Sequence, residues 1–119
     1  PHGAVLEWLD KHHGVQFKWH NWWSAPDTMA HVKSIDPIAS HASWMENFPW
    51  TRLSGIAMPD HQKPMIALSQ FPQLDPVAKK AMLGDGNYGG YYQLPDEVMH
   101  AIWQTAVEET QRVILNDWA

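Results

Sequence analysis

The turn at His13-Gly14-Val15 constrains this chain more than any other feature. Before it, residues 4 to 13 (AVLEWLDKHH) follow a helical repeat, with Val5, Leu6 and Leu9 on one side. Gly14 stands where a left-handed cap closes a helix, because glycine has no Cβ to oppose positive φ. After it, Val15, Phe17 and Trp19 alternate with Gln16, Lys18 and His20, the period of a half-buried strand. The run reaches Asn21-Trp22-Trp23 and breaks at Ser24 to Asp27. Helix, single-glycine turn and strand together form part of a βα repeat, which predicts an α/β fold: a parallel sheet flanked by helices. Residues just past the C-terminal end of such a strand border the ligand crevice. His20 to Trp23 are therefore expected there, with Trp19 in the core and Trp23 facing the pocket.

The rest of the chain reads in three parts. Residues 27 to 34 suit a short helix capped by Asp27. A second helix is expected from about His41 to Asn47, ended by Pro49. Residues 55 to 94 are rich in Pro and Gly and are expected to be an irregular excursion, with a turn cluster at Gly84 to Gly90. The clearest helix spans 95 to 117: Pro95 suits its first turn, Asp96 and Glu97 complement its dipole, and Val98, Ile102, Ala106, Val113 and Ile114 follow its period. At 119 residues the whole forms one small domain.

Composition removes several function classes. Eight Lys and Arg against thirteen Asp and Glu give a formal charge of −5, which argues against nucleic acid or an anionic membrane as partner. No apolar run approaches the roughly 20 residues that span a bilayer, and a cytoplasmic location is the default. The chain has no cysteine, so disulfides and thiolate metal sites are excluded. HExxH, GxSxG, P-loop and dinucleotide patterns are all missing. Eight Trp and eight His, by contrast, far exceed ordinary usage. A buried indole N–H needs a partner, so such a set suits a cleft wall or the subunit contacts of a homo-oligomer; a bulky core is the alternative.

The residues able to carry chemistry are few. His2 precedes a helix and could ligate a metal, as imidazole commonly does; the alternative is a solvated terminal His. His41 and Glu46 lie five apart and share a face only if a loop precedes the helix, with His41 at its start. A His and carboxylate pair suits proton transfer or metal ligation; a surface His beside a first-turn Glu is the alternative. Trp22 and Trp23 at the strand end, and Trp44 and Trp50 flanking the His41–Glu46 pair, are candidates for the walls of a small-molecule site, or else for subunit-interface or core packing. The glycines at 84 to 90 allow close backbone approach, but no Lys-Ser/Thr follows to make a phosphate cradle.

Taken in order, these segments resemble the second half of the creatininase (creatinine amidohydrolase) family. Pro1-His2-Gly3-Ala4 is similar to that family's His-Gly turn before a helix. His13-Gly14-Val15 through Trp22-Trp23 resembles its following strand with a terminal aromatic pair. His41-Ala42-Ser43-Trp44-Met45-Glu46-Asn47 resembles its later His and Glu, and Gly84-Asp85 its turn before the last helix.

The resemblance implies a divalent metal centre (zinc, manganese or iron) and hydrolysis of a C–N bond in a small cyclic amide or formamide. It implies that His2 and Glu46 ligate the metal, that His41 is the acid/base, and that Trp23 is a substrate wall. Relatives that open oxidised cyclitol or sugar rings supply an alternative reaction, and a non-catalytic binding or assembly module is a third reading. Creatinine-hydrolysing members carry a metal-binding Glu where this chain has Ala4, and a Trp where it has Pro37. The family's first-half ligands, a Glu-x-His and an Asp, have no counterpart here. The abrupt Pro1-His2-Gly3 start fits a cut through a larger protein, so those ligands are expected from a missing N-terminal half or a second chain.

Overall fold

A computed structural model describes residues 2–116 and 118 of the chain. Pro1, and residue 117 at the end of the expected last helix, lie outside the described residues. Among the described residues there are four helices: α1 (His2–Asp10), α2 (Pro26–Ile35), α3 (Pro76–Leu83) and α4 (Asp96–Leu115). Single turns of 3-10 helix occur at Trp22–Ser24, Trp44–Glu46, Pro49–Thr51 and Phe71–Gln73. Two short strands, β1 (Gln62–Lys63) and β2 (Gly90–Tyr91), pair antiparallel, with Gln62 opposite Tyr91 and Lys63 opposite Gly90.

This overturns the expected parallel sheet flanked by helices. The helix ends at Asp10, four residues before Gly14, so Gly14, with φ +86°, turns the chain after the helix and does not cap it as expected. A parallel ladder also needs a neighbouring strand, and among the described residues Val15 to His20 make no backbone–backbone hydrogen bond. The run instead lies along α4. Lys18 Nζ donates to Val113 O at 2.9 Å, and His20 Nε2 lies 2.9 Å from Thr110 Oγ1. Val15, Phe17 and Trp19 face outward, and Trp19, expected in the core, is 57% exposed.

The core forms where α2 crosses α4 and the 40–48 segment packs on both. Val32, Ala39, Trp44, Met45, Phe48, Met99 and Ile102 make one cluster. On α4 the buried residues Met99, Ile102, Ala106 and Glu109 recur every three or four positions, the stripe a helix presents to a core. Fully burying a side chain such as Ile102 contributes about 1.5–3 kcal/mol. In α1 no residue is buried.

Capping of α2 shows tertiary structure replacing a local signal. Asp27 does not cap it; the cap residue is Ala25, which has no side-chain acceptor. Glu109 of α4 takes that role across the interface. It accepts from Asp27 N at 3.0 Å, Thr28 N at 2.9 Å and Thr28 Oγ1 at 2.8 Å. Asp27 pairs instead with Arg112. Burial pushes the Glu109 carboxyl up, but the three hydrogen bonds and nearby His20 outweigh it and set the pKa below the ordinary value. A folded-state pKa below the unfolded one means that this stabilisation is complete above the ordinary carboxylate range. It fades as pH falls through the lower folded value. Glu109→Gln is expected to cost about 1–2 kcal/mol near neutral pH, the size of a lost cap. In melts from pH 7 to pH 3 the gap between the variant and the parent should narrow; a gap independent of pH would count against the ionised cap.

α3 lies inside the stretch expected to be irregular. Asp75 caps it through Ala78 N at 2.9 Å, Pro76 occupies its first turn and Gly84, at φ +63°, closes it. The glycines at 89 and 90 serve a close approach of a different kind from ligand binding. A Cβ on Gly90 would sit 2.6 Å from Asp36 Oδ2 and 2.9 Å from Ala39 Cα. The glycine run thus lets β2 press onto the buried Asp36. Among the described residues no helix is long and apolar enough to cross a membrane.

Candidate functional site

The expected helix at 41 to 47 is a turn followed by a single 3-10 turn, and this decides the geometry of the site. Ser43 N donates to Ser40 O at 3.3 Å and Ser43 Oγ to the same oxygen at 2.5 Å, closing a turn around His41 and Ala42. Ala42 has φ +53°, the sole positive φ outside glycine among the described residues. An L-residue held there costs about 1–2 kcal/mol. The reversal brings His41 Nδ1 to 3.4 Å from Glu46 Oε1 although five positions separate the two residues.

Aromatic rings fix the imidazole. The Trp23 indole stacks on it with centroids 4.3 Å apart and planes 3° from parallel, and Tyr88 meets it edge-on at 5.5 Å. The backbone fastens the same corner, since Tyr88 N donates to His41 O at 3.0 Å. The side chains of His41 and Glu46 remain 60% and 43% exposed, so the pair adds about 0–1 kcal/mol to stability. The carboxylate lies within ion-pair range of Nδ1, so a small side-chain adjustment would let it accept a proton there.

Glu46 also borders a cavity of about 290 Å³, together with Ser43, Asn47, Thr51 and Tyr92. Tyr92 is held by Asp85, to which its hydroxyl donates at 2.6 Å, and Asn47 Nδ2 donates to Tyr92 O at 3.0 Å. Lys63 Nζ donates to the same carboxylate at 2.5 Å. The hydrogen bonds from Lys63 and Tyr92 lower the Asp85 pKa to about 2, and the carboxylate in turn raises that of Tyr92. The Tyr92 phenol therefore keeps its proton near neutral pH.

Of the residues singled out in the sequence, Trp23, His41 and Glu46 are brought together. Trp22 is not with them: it packs toward Phe48, centroids 6.1 Å apart, and lines a separate cavity of about 710 Å³ against α4. Trp44 is not a wall. It is fully buried, and its indole Nε1 donates to Asp36 Oδ2 at 2.9 Å. The single 3-10 turn points Trp44 inward and Glu46 outward, where a longer helix would have spaced them differently. His2 stacks on Trp19 at 5.9 Å, on the exposed α1. Among the described residues no three His, Asp or Glu gather where they could hold a metal, so His2 does not join His41 and Glu46.

Tyr88 and Tyr92 were missed in the sequence. Their flanking Gly-Asp-Gly-Asn and Gly-Gly motifs gave notice of a tight turn, yet nothing local tied that turn to His41. No protein-family model, curated protein or solved structure matches the chain.

Proposed function

We propose that the chain is the His-bearing part of a hydrolase acting on a C–N bond of a small cyclic amide or formamide, with creatininase-like chemistry and a cytoplasmic setting. One observation carries this reading: an imidazole stacked on Trp23 and met edge-on by Tyr88, 60% exposed and with a Glu46 oxygen 3.4 Å from Nδ1. In the reaction, His41 Nε2 accepts a proton as water adds to the substrate carbonyl, then returns it to the departing nitrogen as the C–N bond breaks. Glu46 stabilises the imidazolium formed between the two steps. The order of the His2-Gly3, His41 to Glu46 and Gly84-Asp85 motifs supports the same family.

The implied divalent metal does not fit the described residues alone. A catalytic site of this kind takes about three protein ligands, and the His41–Glu46 pair has no third His, Asp or Glu beside it. The proposal therefore includes a partner segment, an N-terminal half or a second chain, that supplies the missing ligands. The 119 residues by themselves are expected to bind zinc or manganese only weakly. Metal analysis after dialysis checks this, and a stoichiometric, tightly held ion in this chain would sink the divided-site reading. For the activity, the intact polypeptide is screened against cyclic amides, formamides and oxidised cyclitols, before and after chelation. Chelator-sensitive opening of an amide supports the proposal and opening of a cyclitol moves it to the carbohydrate alternative. Absence of both metal and turnover leaves a binding or assembly module.

A further inference from the structure

The cavity of about 290 Å³ that Glu46 borders is walled almost entirely by groups with no proton left to give. A hydroxyl has one proton to donate and an ionised carboxylate none. Ser43 Oγ donates to Ser40 O at 2.5 Å, Thr51 Oγ1 to Phe48 O at 2.9 Å and the Tyr92 hydroxyl to Asp85 at 2.6 Å. Asn47 Nδ2 gives one of its two hydrogens to Tyr92 O. All three hydroxyl protons are thus committed to protein oxygens, and one amide hydrogen remains. No Lys, Arg or His lines the cavity, and Glu46 is its one charged wall residue among the described residues. We propose that this cavity is a subsite for the N–H edge of an uncharged cyclic amide, with Ala42 and Met58 against the ring's methylene groups.

The demand for a hydrogen donor rests on the cavity; naming that donor an amide N–H rests on the proposed hydrolysis. Glu46 belongs to both places, since it approaches His41 Nδ1 at 3.4 Å and lines the cavity. A ring nitrogen held by Glu46 is therefore one side chain from the imidazole that is to return its proton. The volume lies at the small end of ligand pockets, which run to about 300–1,000 Å³, and suits a single small ring. Three rings of similar size are separated by these walls. Pyrrolidinone brings an N–H to the lone pairs, and a hydrogen bond to an ionised group is worth more than one between neutral groups. N-methylpyrrolidinone keeps the ring and the carbonyl but displaces water from Glu46 without replacing its hydrogen bond. Pyroglutamate keeps the N–H but adds a carboxylate, which meets Glu46 with like charge and finds a single donor hydrogen.

The test is a ligand-observed NMR titration of these three compounds against the intact protein, with divalent metal removed so that binding is read without turnover. The parent is expected to bind pyrrolidinone at least about fivefold more tightly than either of the others. Glu46→Gln keeps the shape, removes the charge and supplies two hydrogens. In that variant the preference for pyrrolidinone over N-methylpyrrolidinone should fall to about twofold or less, and pyroglutamate should bind at least about fivefold tighter. Thr51→Val removes one acceptor of the same cavity and should weaken pyrrolidinone about threefold with N-methylpyrrolidinone unchanged. Both positions are exposed, and circular dichroism confirms that each variant is folded. A preference that survives Glu46→Gln is one of ring size and overturns the proposal. Tighter binding of pyroglutamate than of pyrrolidinone by the parent overturns it too, as does an unaltered Thr51→Val or no saturable binding of pyrrolidinone in the millimolar range. Restoring metal tests the reaction separately. Ring opening supports subsite and hydrolysis together, whereas an intact preference without ring opening removes the hydrolysis and leaves the subsite supported.

Discussion

Asp36→Ala is expected to remove about 3–5 kcal/mol of stability, the range for breaking a buried polar network. Asp36 is fully buried and accepts from four donors: Gln62 Nε2 at 2.7 Å, Trp44 Nε1 at 2.9 Å, Tyr91 N at 3.0 Å and Ile38 N at 3.2 Å. The four come from the turn after α2, the core indole and both strands, so one side chain joins three parts of the fold. Alanine leaves the Trp44 indole N–H buried without an acceptor, and each such orphan costs about 1–3 kcal/mol. Small domains have about 5–15 kcal/mol in total, so the variant should be partly unfolded at 37 °C. Asp36→Asn keeps the shape and one oxygen, and it should fall between alanine and the parent. Urea unfolding of the three proteins decides the matter. A loss below about 1 kcal/mol for alanine would mean that the donors find water or other acceptors.

The second large effect concerns chemistry. His41→Ala in the intact protein is expected to lower turnover at least about a hundredfold, as loss of a general acid/base does, while metal content stays unchanged. Glu46→Gln should give a smaller loss, since it removes the group that orients Nδ1 but leaves the imidazole stacked on Trp23. Loss of metal from His41→Ala would make His41 a ligand. Unchanged turnover would make it an ordinary surface histidine. Melting separates either result from damage to the fold: His41 is exposed, so the alanine variant should keep a near-parental Tm.

The helices were the legible part of this protein, because their signals are local. α4 follows from Pro95, Asp96, Glu97 and an apolar period; α1 stops at Asp10, three residues short of its expected end, and α2 lies within one residue of its expected span. The signals for α3 were equally local, with Asp75, Pro76 and Gly84 at cap, first turn and close. They were hidden by reading residues 55 to 94 through their Pro and Gly content, which marks boundaries as readily as irregular chain. The site was half legible. His41, Glu46 and Trp23 could be named from residue type and position, but Trp22 and Trp44 were assigned beside them on spacing that does not specify direction, and His2 on the family resemblance.

What the amino-acid sequence determined by itself is therefore the position of α1, α2 and α4 and the residue types that meet at the His41 corner. Each helix depends on residues within one or two turns of one another. The tertiary structure alone decided three other things. Val15 to His20 lies on α4 without a ladder, because strand pairing needs a second strand that no local pattern can provide. α2 is capped by Glu109 and not by Asp27, because an acceptor 82 positions away fits the open N–H groups. His41 meets Glu46, Trp23 and Tyr88 because a turn at positive φ reverses the chain and the 84–90 loop folds back over it. Periodicity records which side of an element is apolar; which element arrives to cover that side depends on contacts distant in the chain.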